Sequence, residues 1–270
     1  MMNASWEQGD LDLDGINIHY YRTGAGQQKK SLILCHGFSD NGLCWYRFAG
    51  ALEADFDVVM VDARNHGKSD RADADIADMA NDIAGVAASL QLTQPILLGH
   101  SMGASAVAEC AALHPKLAGK IILEDPPWTK HRGAERAGDA EKREAGFRQY
   151  LTSLTDLSHA EVVKFGAKTY PGWHEDDLPD WADSKLQVSP AAMDGLSLGR
   201  WPETVAKLQC PAMLIYADGK GDGIVTHDIA NEIVDTNNCF TVQHIADAGH
   251  NTRREQFEPY LAAVRAFLSE

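Results

Sequence analysis

Gly99-His100-Ser101-Met102-Gly103 sets a serine between two glycines, directly after the apolar run Pro95-Ile96-Leu97-Leu98 and directly before a helical pattern. A serine hydroxyl is a poor nucleophile until it is exposed, oriented and given a base. A sharp strand-to-helix turn does the first two jobs while straining the serine's own backbone, and flanking glycines remove side chains that would clash. Ala104 and Ala106 then let the helix pack close to the strand. A tight turn with a solvent-facing serine is the plain alternative, and the strand before and helix after weigh against it.

A nucleophilic serine needs a base, and the chain has 11 histidines. His250, in Ala248-Gly249-His250, follows an apolar run and precedes the last helical pattern. The others have plainer roles: His100 sits inside the Ser101 turn, His114 precedes Pro115, and His131, His159 and His174 fall in a charged middle segment. His66 lies in a loop, Asp62–Ser69, that shapes a cleft wall. Acyl transfer also needs main-chain N–H groups aimed where oxyanion charge develops. Cys35-His36-Gly37-Phe38 ends an earlier apolar run, and Gly37 lets the chain turn its amides inward. His36 itself reads as a hydrogen-bonding partner within that loop.

These residues must be carried by a frame of alternating elements. Runs at 31–37, 57–63, 95–101, 120–126, 211–218 and 240–250 read as buried strands, and 76–92, 102–113, 226–235 and 252–268 as helices. That alternation points to a mostly parallel sheet covered by helices. Near the start, Leu11–Asp14 and Ile16–Tyr21 flank Asp14-Gly15, a hairpin turn signal. In the last helix Phe257, Leu261, Val264 and Leu268 share one face and are assigned to the core. The interval 127–201 breaks the rhythm with Pro126-Pro127, a charged stretch and the tryptophans Trp128, Trp173 and Trp181. Inserted between strands of one sheet, it reads as a helical cap, leaving 1–126 and 202–270 as the core domain.

With 44% hydrophobic and 23% charged residues over 270 positions, the chain can bury a full core. A net charge of −15 argues against nucleic acid or an anionic membrane surface as partner. Its 5 cysteines are scattered, with no paired spacing, so a disulfide framework or metal site is not expected. The N-terminus has no basic region followed by an apolar run, and no segment is apolar for long enough to cross a bilayer. A cytoplasmic protein, monomeric or homodimeric, is the expectation.

Taken in order, HGF at 36–38, DARNHGKS at 62–69, GHSMG at 99–103 and AGH at 248–250 resemble the α/β-hydrolase superfamily over nearly the whole chain. The resemblance implies an α/β fold with an eight-stranded, mostly parallel sheet flanked by helices, and a cap inserted after the sixth strand. It implies a Ser–acid–His triad with Ser101 and His250, and an oxyanion hole from the Phe38 and Met102 amides. No metal or organic cofactor is implied. A serine at this turn argues against haloalkane dehalogenase or epoxide hydrolase chemistry, which uses a carboxylate there.

The acid of the triad must hold the imidazole in one tautomer and stabilise the imidazolium. In the family it usually follows the strand read here as Pro211–Asp218, and Gly219–Val225 places Asp222 at the familiar spacing. Asp218, nearer the strand end, is an alternative. Glu124, or less favourably its neighbour Asp125, is a third, because some relatives, zearalenone lactonases among them, carry the acid at that strand end. Trp128, just beyond, is the tryptophan best placed to touch substrate, and the Phe38 and Met102 side chains are expected at the pocket mouth.

The leading expectation is therefore a carboxylic-ester or lactone hydrolase acting on a small molecule through an acyl-enzyme. Carbon–carbon bond hydrolysis of a dienoic diketone uses the same triad. A ligand receptor built on the fold, with slow turnover, is the alternative from another class.

Overall fold

A computed structural model describes residues 6–25, 29–72, 75–129, 137–189, 192–193, 201–217 and 222–270. Asp218, one of the candidate acids, lies outside the described residues. Eight strands form one sheet: β1 (Glu7–Leu13), β2 (Ile16–Thr23), β3 (Lys30–Cys35), β4 (Phe56–Val61), β5 (Ile96–His100), β6 (Lys120–Glu124), β7 (Ala212–Ala217) and β8 (Phe240–Ile245). Their order across the sheet is β1-β2-β4-β3-β5-β6-β7-β8. The first two strands pair antiparallel with each other, and β2 also runs antiparallel to β4. From β4 through β8 every pairing is parallel. The β1–β2 hairpin closes on Asp14 and Gly15, both at positive φ (55° and 86°), the geometry an Asp-Gly turn favours.

The described helices are α1 (Tyr46–Leu52), α2 (Ile76–Ser89), α3 (Met102–Leu113), α4 (Ala137–Thr155), α5 (His159–Thr169), α6 (Leu178–Gln187), α7 (Trp201–Lys207), α8 (His227–Thr236), α9 (Thr252–Glu255) and α10 (Phe257–Ser269). A strand buried on both faces must be apolar at odd and even positions alike. Here Ile33, Val59, Leu97, Ile121 and Leu214 point into one core with residues of α2, α3, α7 and α8. The intervening Leu32, Val58, Leu98, Ile122 and Met213 point into a second core with α1 and α10. Val264 and Leu268 are buried in that second core, and Phe257 and Leu261 pack at its margin.

Three differences from the expected elements matter for the site. The run 240–250 is strand only to Ile245, which frees Ala246–His250 to form a loop. The expected helix 252–268 is split at Gln256, where φ is −133°, into a single turn (α9) and a longer helix (α10). Within 127–201, α4, α5 and α6 stand between β6 and β7, with their own small apolar cluster around Val162, Trp173 and Trp181. Cys44 of the main body packs into that cluster. Among the described residues no helix is long and apolar enough to cross a membrane, and the five cysteines are unpaired.

Candidate active site

Ser101 stands between β5 and α3 with φ 51° and ψ −116°, a left-handed-side conformation that an L-residue adopts only under constraint. Such positions cost on the order of 1–3 kcal/mol and persist where the surroundings over-determine them. The surroundings here are main chain. The Ser101 N–H donates to the Glu124 carbonyl at 2.9 Å, continuing the β5–β6 ladder past the end of β5. Gly99 lies against the Gly103 backbone, and Gly103 against the Cys35 and His36 carbonyls, so a methyl group at either position would collide with main chain. Gly99 thus lets the turn close tightly on the start of α3, and Gly103 lets it approach the end of β3.

The His250 ring joins the two halves of the site. Its Nε2 lies 3.0 Å from Ser101 Oγ, and its Nδ1 lies 2.6 Å from Asp125 Oδ2. The Asp125 carboxylate is fully buried and also accepts the main-chain N–H groups of Ile224 and Val225, at 3.0 Å and 2.8 Å. With the carboxylate beside it, Nδ1 carries the proton, leaving Nε2 to accept one from the serine. Burial lowers the His250 pKa, but the Asp125 hydrogen bond and charge, with Glu124 and Asp222 behind it, raise it further, and the net shift is upward from 6.5. His100 supports the loop: its Nε2 donates to the His250 carbonyl at 2.9 Å, and burial holds it neutral.

The carboxylate at His250 is therefore not the one favoured by spacing. Asp222 accepts the main-chain N–H of His250 at 3.0 Å rather than its ring. The segment expected to carry the acid instead supplies two amides that hold Asp125. Glu124 is also excluded as the ring's partner, because its Oε1 accepts the Arg253 N–H at 3.0 Å and its Oε2 the Arg253 guanidinium at 3.2 Å. The two adjacent carboxylates go to different partners: Glu124 ends β6, while Asp125, one residue beyond it, takes φ 39°. The signal available in sequence was only the pair Glu124-Asp125 ending a buried strand.

The loop after β3 closes on the serine from the other side. A Cβ placed on Gly37 would lie 3.3 Å from Ser101 Cβ, so Gly37-Phe38 runs directly past that serine. Met102 opens α3, where the first N–H groups have no partner within the helix. His36 is internal to this loop, donating from Nδ1 to the Gly37 carbonyl at 2.8 Å and accepting the Ala63 N–H at 3.0 Å.

Next to Ser101 and His250 lies a cavity of about 230 Å³, walled by Phe38, Phe147, Tyr150, Tyr170, Trp173 and Trp181. Trp128 is not on this wall. It is buried and stacked on Trp201, ring centroids 6.0 Å apart, because the turn after Pro126-Pro127 directs the indole into the core rather than over the cleft. The Met102 side chain is likewise in the core, against the α2 side of the sheet, while Phe38 does reach the cavity.

Charged side chains on the cavity wall were missed by sequence reasoning, since they come from three separate segments. Asp40 accepts from Lys185 Nζ at 2.8 Å and from Arg254 Nη2 at 2.9 Å, with Arg253 Nη2 at 3.4 Å. Burial opposes its charge, but these three cations hold its carboxyl well below the usual range. Lys185, on α6, also donates to the Ser39 carbonyl at 2.8 Å, so the inserted helices are tied to the main body through a buried ion pair. Among the described residues no group of three or more His, Cys, Asp or Glu is arranged to hold a metal ion.

Comparison with known proteins agrees with this frame. The chain is 27% identical over 267 residues to N-formylmaleamate deformylase of Pseudomonas putida, with 96% of each chain covered. In solved structures, E-2-(acetamidomethylene)succinate hydrolase matches with a TM-score of 0.82 at 21% identity, over 98% of this chain and 100% of that one. An N-formylmaleamic acid deformylase from another Pseudomonas putida strain matches with a TM-score of 0.74 at 21% identity, over 96% and 100%. At that identity the structural likeness speaks for the fold. A sequence profile described as the alpha/beta hydrolase family matches residues 32–263, and with the eight-stranded sheet and its connectivity in place, the chain belongs to that family.

Proposed function

We propose that this protein is a serine hydrolase that cleaves an acyl bond of a small molecule through an acyl-enzyme. The observation that carries the reading is the continuous chain from Asp125 through His250 to Ser101, at 2.6 Å and 3.0 Å. Ser101 Oγ attacks the substrate carbonyl while His250 Nε2 takes its proton, and Asp125 stabilises the resulting imidazolium. The Phe38 and Met102 amides receive the oxyanion, a role favoured by Gly37 lying against Ser101 and by Met102 opening α3. Collapse expels the leaving group with the proton from His250. Water, deprotonated by His250, then attacks the acyl-enzyme and releases the acid.

A carboxylic ester or lactone suits this chemistry, since an alkoxide leaving group needs only the proton that His250 holds. The match to N-formylmaleamate deformylase along 96% of both chains favours a second leaving group, the nitrogen of an N-acyl compound. Both substrates pass through the same acyl-enzyme. Ser101→Ala tests the shared step: hydrolysis of a p-nitrophenyl ester falls by roughly 10³-fold or more, with the circular dichroism spectrum unchanged. Wild-type turnover in that variant overturns the reading. A panel of N-formyl amides against esters then ranks the two leaving groups.

A further inference from the structure

We propose that the cavity beside Ser101 takes an acyl substrate that carries a carboxylate, held by Arg254 with Lys185 beside it. This rests on the serine-hydrolase reading above and narrows it to anionic substrates.

The first support is a count of charge on the cavity wall. Besides His250, the charged side chains lining it are Asp40, Lys185 and Arg254, two cations to one carboxylate. Behind the wall, among the described residues, the remaining positive charge is offset only by Asp125, from beyond the neutral His250 ring. Arg253, the third cation near Asp40, is matched by Glu124. Asp125 is occupied by His250 and two main-chain amides. All five members of the cluster are buried, with Lys185, Arg253 and Arg254 side chains at 3%, 2% and 2% exposure and Asp40 and Glu124 at 6% and 0%. A buried cation without a counter-charge is strongly unfavourable. On the cavity wall itself, Lys185 and Arg254 exceed Asp40 by one positive charge.

The second support is the state of Arg254 itself. Its Nη2 donates to Asp40 and its Nη1 to Asn251 Oδ1 at 3.0 Å, and each nitrogen carries a second N–H, whereas its Nε is closed off from solvent. The guanidinium lies 4.5 Å over the Trp173 ring, another cavity wall, which keeps its planar fork fixed. Lys185 Nζ is already satisfied by Ser39, Ser184 and Asp40 and supplies charge rather than a free donor. Arg254 lies on α9, four residues after His250, so the cation and the base come from one short stretch of chain. A carboxylate on the substrate would therefore both neutralise the wall and fix where the scissile carbonyl sits relative to Ser101.

The test compares two near-isosteric substrates, mono-p-nitrophenyl adipate and its terminal carboxamide. Wild-type enzyme is expected to prefer the anionic ester by at least about 10-fold in kcat/KM. Arg254→Gln should bring that ratio toward one, chiefly through KM, and Arg254→Lys should restore part of it. Should either variant fail to fold, the wild-type ratio and competition by adipate against adipamide decide the matter alone. A ratio within twofold of one, with no preferential competition by adipate, overturns the anionic subsite and leaves the Ser101 chemistry standing. If neither ester is turned over, calorimetry on the wild-type protein separates the two claims. Adipate binding at least about 10-fold tighter than adipamide supports the subsite while the hydrolase reading falls, and equal binding overturns the subsite as well.

Discussion

Asp125 meets the His250 ring at 2.6 Å from a position one residue beyond β6, where its own main chain is turned to φ 39°. Its second function is to anchor the loop after β7, whose Ile224 and Val225 amides it accepts. One carboxylate therefore orients the His250 ring and holds the loop after β7. Asp222, from that same loop, contributes by holding the His250 main chain.

This division of labour separates two carboxylates by experiment. Asp125→Asn should lower kcat for a p-nitrophenyl ester by about 10⁴-fold, because the amide favours the wrong tautomer of His250. Asp222→Asn should cost no more than about 10-fold, the worth of one hydrogen bond to main chain. Steady-state kinetics on the two purified variants gives the ranking. The reverse order would return the acid to Asp222.

The pH profile follows from the upward shift of His250. Burial alone would push its pKa below 6.5, yet the Asp125 hydrogen bond and the nearby carboxylates more than offset it. The base works only when neutral, so kcat/KM should fall as pH drops through a value above 6.5. In Asp125→Asn the burial effect remains without its main counterweight, and the acid limb should move to lower pH. For stability the sign is opposite. A raised folded pKa means the protonated ring stabilises the fold below pH 6.5, a contribution lost as pH rises through the folded value. An acid limb centred below 6.5 in the wild type would contradict this account.

Asp40 is the hub of the buried cations, and removing its charge should be felt in stability. Asp40→Asn leaves Lys185 and Arg254 facing each other without a counter-charge and should destabilise the protein by about 3–5 kcal/mol. Urea denaturation followed by tryptophan fluorescence measures it. Because the folded pKa of Asp40 is depressed, its contribution is complete above the usual value of 3.8 and lost as pH falls through the lower folded value. A change under about 1 kcal/mol would mean the cluster behaves like an exposed ion pair.

The Ser101 turn, the Asp14-Gly15 hairpin and the order of buried strands were legible because each is written in adjacent residues. Two glycines within van der Waals reach of main chain, a hairpin needing positive φ, and apolar runs with no polar face are all local requirements. His250 could be singled out because it stands between the last strand and the last helices, and the structure brings its ring to Ser101. The acid was a different problem. Asp125 and His250 are 125 residues apart, and Glu124, Asp125 and Asp222 all end within hydrogen-bonding distance of the His250 loop or the helix after it. Which of the three faces the imidazole is settled by contacts between distant segments, and no spacing rule encodes those contacts. Trp128 illustrates the same limit: its position suggested the cleft, but packing against Trp201 draws it into the core while Trp173 and Trp181 form the wall. The sequence by itself determined the fold, the strained serine turn and the segment bearing the histidine, since these follow from local sterics and hydrophobic pattern. Only the tertiary structure decided which carboxylate serves His250 and which cations face the cavity, because those partners meet across the sheet from segments far apart in the chain.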